Sequence, residues 1–179
     1  MRVELDELPQ QVRPSISYPI NGGIYTLTGD SWAPALCALL AAATQSVDVA
    51  AYSITTRWSE SPNHCGNVVA AMVGAAARGI RCRALVADHK KTAATSHFNR
   101  HARTLLSGAN WEVRRAQRAH LLHAKLWLID KSATIVGSHN ITRSASDSNI
   151  DLSLCVMDET FNQQMRDLFN NWWRVGLQN

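Results

Sequence analysis

Residues 123–140 read HAKLWLIDKSATIVGSHN, and this stretch decides the fold. Two apolar runs of strand length, Leu122–Ile129 and Ala133–Gly137, flank Asp130-Lys131-Ser132, a group of turn-forming residues. Alternation in the first run puts His123, Lys125, Trp127 and Ile129 on one face and Leu122, Ala124, Leu126 and Leu128 on the other. Both faces are mostly apolar, as in a central strand covered on both sides. A lysine two residues from a histidine at the mouth of such a strand is hard to justify by packing. A buried ammonium needs an anion, and a bound phosphate would serve; an exposed strand end is the plain alternative.

Working outward, apolar periodicity predicts strands alternating with helices. Upstream, Gly23–Thr28 reads as a short strand. A helix capped by Asp30 or Ser31, with Pro34 in its first turn, continues to Ala43. Ser46–Ser53 is a strand, Arg57–Gly66 a loop, Val68–Arg78 an Ala-rich helix ended by Gly79, and Ile80–Ala87 a strand. A basic helix over Ser96–Leu106 ends at Gly108, before a strand at Trp111–Arg115 and a basic loop at Ala116–His120. Downstream come a short helix near Thr142–Ala145 and a strand at Ile150–Met157. In a final helix, Phe161, Met165, Leu168, Phe169, Trp172 and Trp173 share one apolar face suited to core packing. The pattern is α/β, a central sheet with helices on both faces. At 179 residues the chain is the size of one domain; residues 1–20 form a polar arm and 21–179 a single domain.

Gly137-Ser138-His139-Asn140 closes the second strand and leads toward a helix. Gly137 allows close backbone approach, Ser138 and Asn140 offer side-chain donors, and a helix N-terminus favours an anion. Asp151 begins the next strand and shares a face with Ser153 and Cys155, where it can lie beside His123. A carboxylate accepting from one imidazole nitrogen leaves the other as a nucleophile. An ordinary exposed acid at a strand end is the alternative for Asp151.

These residues resemble a known signature. His123, Lys125 and Asp130 in the order H-x-K-x4-D, followed by Gly137, Ser138 and Asn140 as G-S-x-N, look like the motif of the phospholipase D superfamily. The resemblance implies a phospholipase D-like fold, a central mixed sheet flanked by helices on both faces. It also implies a metal-independent phosphodiesterase with no cofactor. His123 would attack phosphorus to form a phosphohistidine, Lys125 and Asn140 would bind the non-bridging oxygens, and Ser138 would assist. Asp130 would be mainly a structural, hydrogen-bonding member of the motif, and Asp151, where single-motif nucleases usually carry Glu, would orient the nucleophile. The family site uses two motifs, and this chain holds one complete copy. The His89-Lys90-Lys91 sequence has Ser96 in place of the aspartate and no G-S-x-N after it. The resemblance therefore implies a homodimer with the active site shared at its interface.

Charge narrows the substrate. The formal net charge is +4, yet residues 78–125 carry eleven of the eighteen Lys and Arg residues against two of the fourteen acids, a surplus of nine. A charge distribution this uneven suggests a polyanionic partner, and nucleic acid is the expected substrate. Arg114, Arg115 and Arg118, with Gly137, are expected to bind it, and Trp111 is either a core residue or a base-stacking one. The rivals are a cardiolipin-hydrolase-type lipid phosphodiesterase and a non-catalytic nucleic-acid-binding module. Zinc bound by His97, His101 and His120 is disfavoured because no cysteine has suitable spacing. Cys37, Cys65, Cys82 and Cys155 are widely spaced and read as reduced thiols. No apolar run reaches the roughly 20 residues of a membrane span, and Met1-Arg-Val-Glu-Leu-Asp-Glu lacks an apolar signal core. A cytoplasmic chain with no stable membrane anchor is expected.

Overall fold

A computed structural model describes residues 22–56, 64–88, 93–117 and 121–178. The expected N-terminal arm, Arg118, and positions 57–63 of the expected loop lie outside the described residues. Among the described residues, eight strands form one sheet: β1 (Ile24–Leu27), β2 (Ser46–Ala51), β3 (Arg81–Val86), β4 (Glu112–Arg115), β5 (Lys125–Ile129), β6 (Ala133–Gly137), β7 (Ser153–Met157) and β8 (Leu177–Gln178). Their order across the sheet is β1-β7-β6-β5-β2-β3-β4-β8. The β2/β3 and β3/β4 pairs are parallel and the rest antiparallel, so the sheet is mixed.

Helices α1 (Gly29–Ala42), α2 (His64–Ala77) and α3 (Ala93–Gly108) join the larger core, α4 (Arg143–Asp147) packs against α1 and α2, and α5 (Glu159–Val175) forms a second cluster with the opposite side of β5. The expected α/β sheet with helices on both faces is thus observed. In β5 every residue is buried. Trp127 and Ile129 enter the larger core, while Leu126 and Leu128 meet Phe169 and Trp173 of α5. The apolar stripe of α5 is therefore core packing along most of its length, although Leu168 stays partly exposed.

Element ends differ from expectation for local reasons. Thr28, not Asp30 or Ser31, is the N-cap of α1, in a capping box in which Ser31 is the third helical residue. β5 begins at Lys125, because Leu122 and Ala124 are apolar to pack against the α5 cluster rather than to extend the ladder. A two-residue strand such as β8 carries no periodic signal, and sequence reasoning passed over it.

The sheet also buries charge. Asp48 in β2 is fully buried, and Arg83 grips it through Nε at 2.7 Å and Nη2 at 2.8 Å, while Arg166 of α5 donates to the same carboxylate. The Arg83 guanidinium lies 5.0 Å from the Phe169 ring centre and 5.2 Å from that of Trp173. This pairing bolts α5 to the sheet, and removal of either partner would strand a buried charge.

Asp130 closes β5 at its far end, with φ of +48° at the turn. Its carboxylate accepts from the backbone N–H groups of Thr44, Gln45 and Ser46 at 3.0, 2.8 and 2.9 Å and from the Thr44 hydroxyl at 3.1 Å. Partial burial by itself would raise the pKa of this carboxyl, but the hydrogen bonds from Ser46, Thr44 and Gln45 outweigh it and leave the value below the ordinary one. A depressed carboxyl contributes stability above its unfolded pKa and loses it as pH falls through the folded value. Asp130→Asn is therefore expected to destabilise the fold by about 1–2 kcal/mol near neutral pH, a gap that closes below about pH 4. Urea melts of both proteins across pH check it.

Candidate active site

The signature residues divide between the two ends of β5. At one end, Lys125 pairs with Ala51 at the close of β2, and Gly137 at the close of β6 pairs with Ser153 at the start of β7. The parallel strands β2, β3 and β4 also end on this side, the usual location of ligand sites in open α/β sheets. Asp130 lies at the other end of β5, where it clasps the turn between α1 and β2. It belongs to the motif through the fold and is not brought to His123.

His123 sits just before β5 and is exposed, whereas Lys125 is buried. The Lys125 ammonium donates to the His123 carbonyl at 2.7 Å and lies 3.2 and 3.3 Å from the two ring nitrogens, Nδ1 and Nε2. An ammonium has only protons to offer, so this contact suits an imidazole with an unprotonated nitrogen. Partial desolvation of the ring, and secondarily the charge of Lys125, hold the His123 pKa below its ordinary value. Burial likewise lowers that of Lys125, against the opposing pull of the Asp151 carboxylate. The His123 shift favours a neutral imidazole, the state a nitrogen nucleophile requires.

Asp151, expected to orient His123, binds other partners. It stands before β7, and its two oxygens accept from Ser138 Oγ at 2.5 Å and Asn149 Nδ2 at 3.1 Å. No hydrogen bond joins it to His123. Ser138 Oγ in turn accepts from the Leu152 N–H at 3.0 Å, so the Ser138 hydroxyl is fixed between Asp151 and the entry to β7.

The G-S-x-N segment is rigid for reasons visible on both sides. A Cβ at Gly137 would stand 2.3 Å from Ser153 Oγ and 2.4 Å from the Leu152 carbonyl. The close approach that glycine permits is thus to β7 rather than to a ligand. The short helix expected near Thr142–Ala145 is α4, with Thr142 as its N-cap, just beyond Asn140. Ser138 and Ile141 spend their backbone N–H groups on Leu152 and Ser53. Ile141 also forms a parallel bridge with Ile54, which sets the Asn140 segment alongside the end of β2. Among the described residues, the buried Asn140 Oδ1 has no hydrogen-bond partner.

Two residues escaped sequence reasoning. His139, the variable position of the motif, is buried, stacks on Trp32 with ring centres 4.9 Å apart and an interplanar angle of 3°, and has Nδ1 2.8 Å from Ser153 Oγ. Tyr52, two residues before Ile54, places its ring 4.7 Å from the His123 ring. No local signal marks Tyr52, because its proximity to His123 arises from the pairing of β2 with β5.

Two of the arginines expected to bind substrate, Arg114 and Arg115, are tied into the fold. Arg114 donates to the Trp173 carbonyl at 2.7 Å and stacks on the Trp173 ring at 4.7 Å. Arg115 pairs with Asp88 at 3.3 Å and reaches the Gln178 carbonyl. Trp111 is a core residue, buried with its indole N–H on the Met72 carbonyl at 3.1 Å, and the base-stacking alternative falls. A cavity of about 350 Å³ borders His123 and is walled by Leu85, Leu121, Leu122, Ala124, Trp172 and Val175.

Comparisons with known proteins agree with this layout. A family model described as "Cardiolipin synthase, PLD-like domain" matches residues 36–173. Among solved structures, the chain is similar to Nuc from Salmonella typhimurium, a phospholipase D family member: TM-score 0.72 at 18% identity, over 88% of this chain and 96% of that one. It is also similar to NucT from Helicobacter pylori, with TM-score 0.70 at 18% identity, over 89% and 99% of the two chains. Phosphatidylserine synthase from Haemophilus influenzae gives a TM-score of 0.65 at 12% identity, over 92% of this chain and 41% of that one. No curated protein matches by sequence.

Gly137→Ala is expected to push Ser153 and Leu152 apart from β6, lowering stability by about 1–3 kcal/mol. Calorimetry would reveal this as a drop in melting temperature, and an unchanged Tm would show that β7 yields freely.

Proposed function

Because the chain belongs to the PLD-like domain family, we propose that it is a phosphodiesterase that uses His123 as its nucleophile, with nucleic acid as its substrate. The observation that carries this reading is the Lys125 ammonium held within 3.3 Å of an exposed imidazole whose pKa is depressed. An unprotonated nitrogen of His123 attacks phosphorus, an N–P bond forms, and the bond to the leaving oxygen breaks. Lys125 and the Asn140 amide bind the non-bridging oxygens as negative charge gathers there. A second imidazole donates a proton to the departing oxygen and then takes one from the water that cleaves the phosphohistidine. Since the chain holds one complete motif, this second imidazole is the His123 of a second copy. Asp151 orders Ser138 and adds negative charge near Lys125.

The formal surplus of nine cations over residues 78–125 supports a nucleic-acid substrate, as does α3, where His97, Arg100 and His101 are exposed. A lipid phosphodiester is the second reading, and the apolar cavity beside His123 favours it, since an acyl chain suits such walls. Among the described residues, no helix is long and apolar enough to cross a membrane. DNA, RNA and phospholipid vesicles, each incubated with the protein in EDTA, separate the readings. Cleavage of nucleic acid that survives chelation and falls at least 1000-fold in His123→Ala is expected. Vesicle hydrolysis alone would install the lipid reading, and salt-sensitive binding without cleavage would leave a non-catalytic clamp.

The second copy has a surface available. Ile150, Leu152 and Leu154 are exposed apolar residues that bracket Asp151 at the edge of the site. Burial of these side chains against their equivalents would bring two motifs together. Sedimentation is expected to find a dimer, and Leu152→Asp is expected to yield a monomer that has lost activity. A fully active wild-type monomer would refute the shared site.

A further inference from the structure

We propose that Tyr52 is a positioning residue of this site, whose ring holds the Lys125 ammonium and walls the His123 imidazole without cancelling the charge that the phosphate needs. This rests on the phosphodiesterase reading and deepens it. The Lys125 Nζ lies 5.1 Å from the centre of the Tyr52 ring, within cation–π range, and the His123 ring centre lies 4.7 Å from it at a tilt of 53°. One aromatic ring thus touches both groups assigned to the reaction.

The physical case turns on what else could hold a buried ammonium. A carboxylate would do so, but it would neutralise the cation and compete with the substrate phosphate. The nearby carboxylate, Asp151, is occupied by Ser138 and Asn149, and its charge reaches Lys125 without a direct bond. Lys125 instead donates to the His123 carbonyl and rests on an uncharged π face. Neither contact removes the positive charge, so the ammonium stays in place and remains available to an anion.

The ring is itself held in position. Asn99 of α3, almost fully buried, donates from Nδ2 to the Tyr52 carbonyl at 2.8 Å and to the Ala87 carbonyl at 2.9 Å, and its Oδ1 accepts from the Ile54 N–H at 2.9 Å. These three bonds fix the chain at and just after Tyr52 and tie the ends of β2 and β3 to one side chain. Tyr52 therefore passes a position set by α3 to the two groups at the mouth of β5.

Tyr52→Leu and Tyr52→Phe, made in the full chain, test this with bis(4-nitrophenyl) phosphate as a small diester probe. Tyr52→Leu is expected to lose about tenfold or more in kcat with little change in KM. The acidic limb of its kcat/KM profile is expected to move to higher pH, because an imidazole without its wall is better hydrated and protonates more readily. Tyr52→Phe keeps the ring and is expected to rescue both kcat, to within about threefold of wild type, and the pH profile. A Tyr52→Leu protein with wild-type kcat and pH profile, or one altered only in melting temperature or KM, would overturn the inference. So would a Tyr52→Phe protein as impaired as Tyr52→Leu, since the hydroxyl would then be the active element. A wild-type chain with no His123-dependent turnover of the probe or of nucleic acid would instead overturn the phosphodiesterase reading on which this one stands.

Discussion

The rest of the structure depends on β5 being buried on both faces. β5 carries charge only at its two ends, and each end satisfies its charge in a different way. Asp130 is surrounded by backbone donors from the α1–β2 turn and becomes a fastening of the fold. Lys125 is given a carbonyl and a π face and, among the described residues, no direct carboxylate. One end of the strand is closed electrostatically and the other is left with an unspent cation beside an imidazole, so the site lies where the core ends.

A similar contrast governs the basic segment. Much of its charge serves the fold. Arg83 neutralises Asp48 beneath α5, Arg78 donates to the Leu40 and Ala43 carbonyls, Arg114 caps the end of α5, and Arg115 pairs with Asp88. The exposed positive surface is accordingly smaller than a count of residues implies. This weakens the electrostatic case for a polyanion without touching the chemistry at His123. The apolar cavity beside the nucleophile pulls the other way, toward a substrate with an apolar portion.

The G-S-x-N segment shows how a loop becomes precise enough for chemistry. Gly137 lets β7 approach, His139 is trapped between Trp32 and Ser153, and Ile141 bridges to Ile54. Ser138 and Asn140 lie between these anchors, so neither side chain depends on its own contacts alone for position.

The order of strands and helices was legible because buried strands are apolar runs and helices repeat with a different period. The H-x-K and G-S-x-N motifs were legible because their spacing is local. Boundaries were less so: Leu122 and Ala124 are as apolar as a strand requires, and only their packing against α5 shows that the ladder starts at Lys125. The sequence alone determined that this is an α/β chain with one complete set of signature residues. The tertiary structure alone decided that Asp130 lies far from His123, that Asp151 is bound to Ser138, that Arg114 and Arg115 are engaged, and that Tyr52 stands against Lys125. Spacing along a chain records which residues share a strand or a turn. Which side chain satisfies which charge depends on pairings between strands distant in sequence, such as β2 with β5, and those exist only once the sheet is assembled.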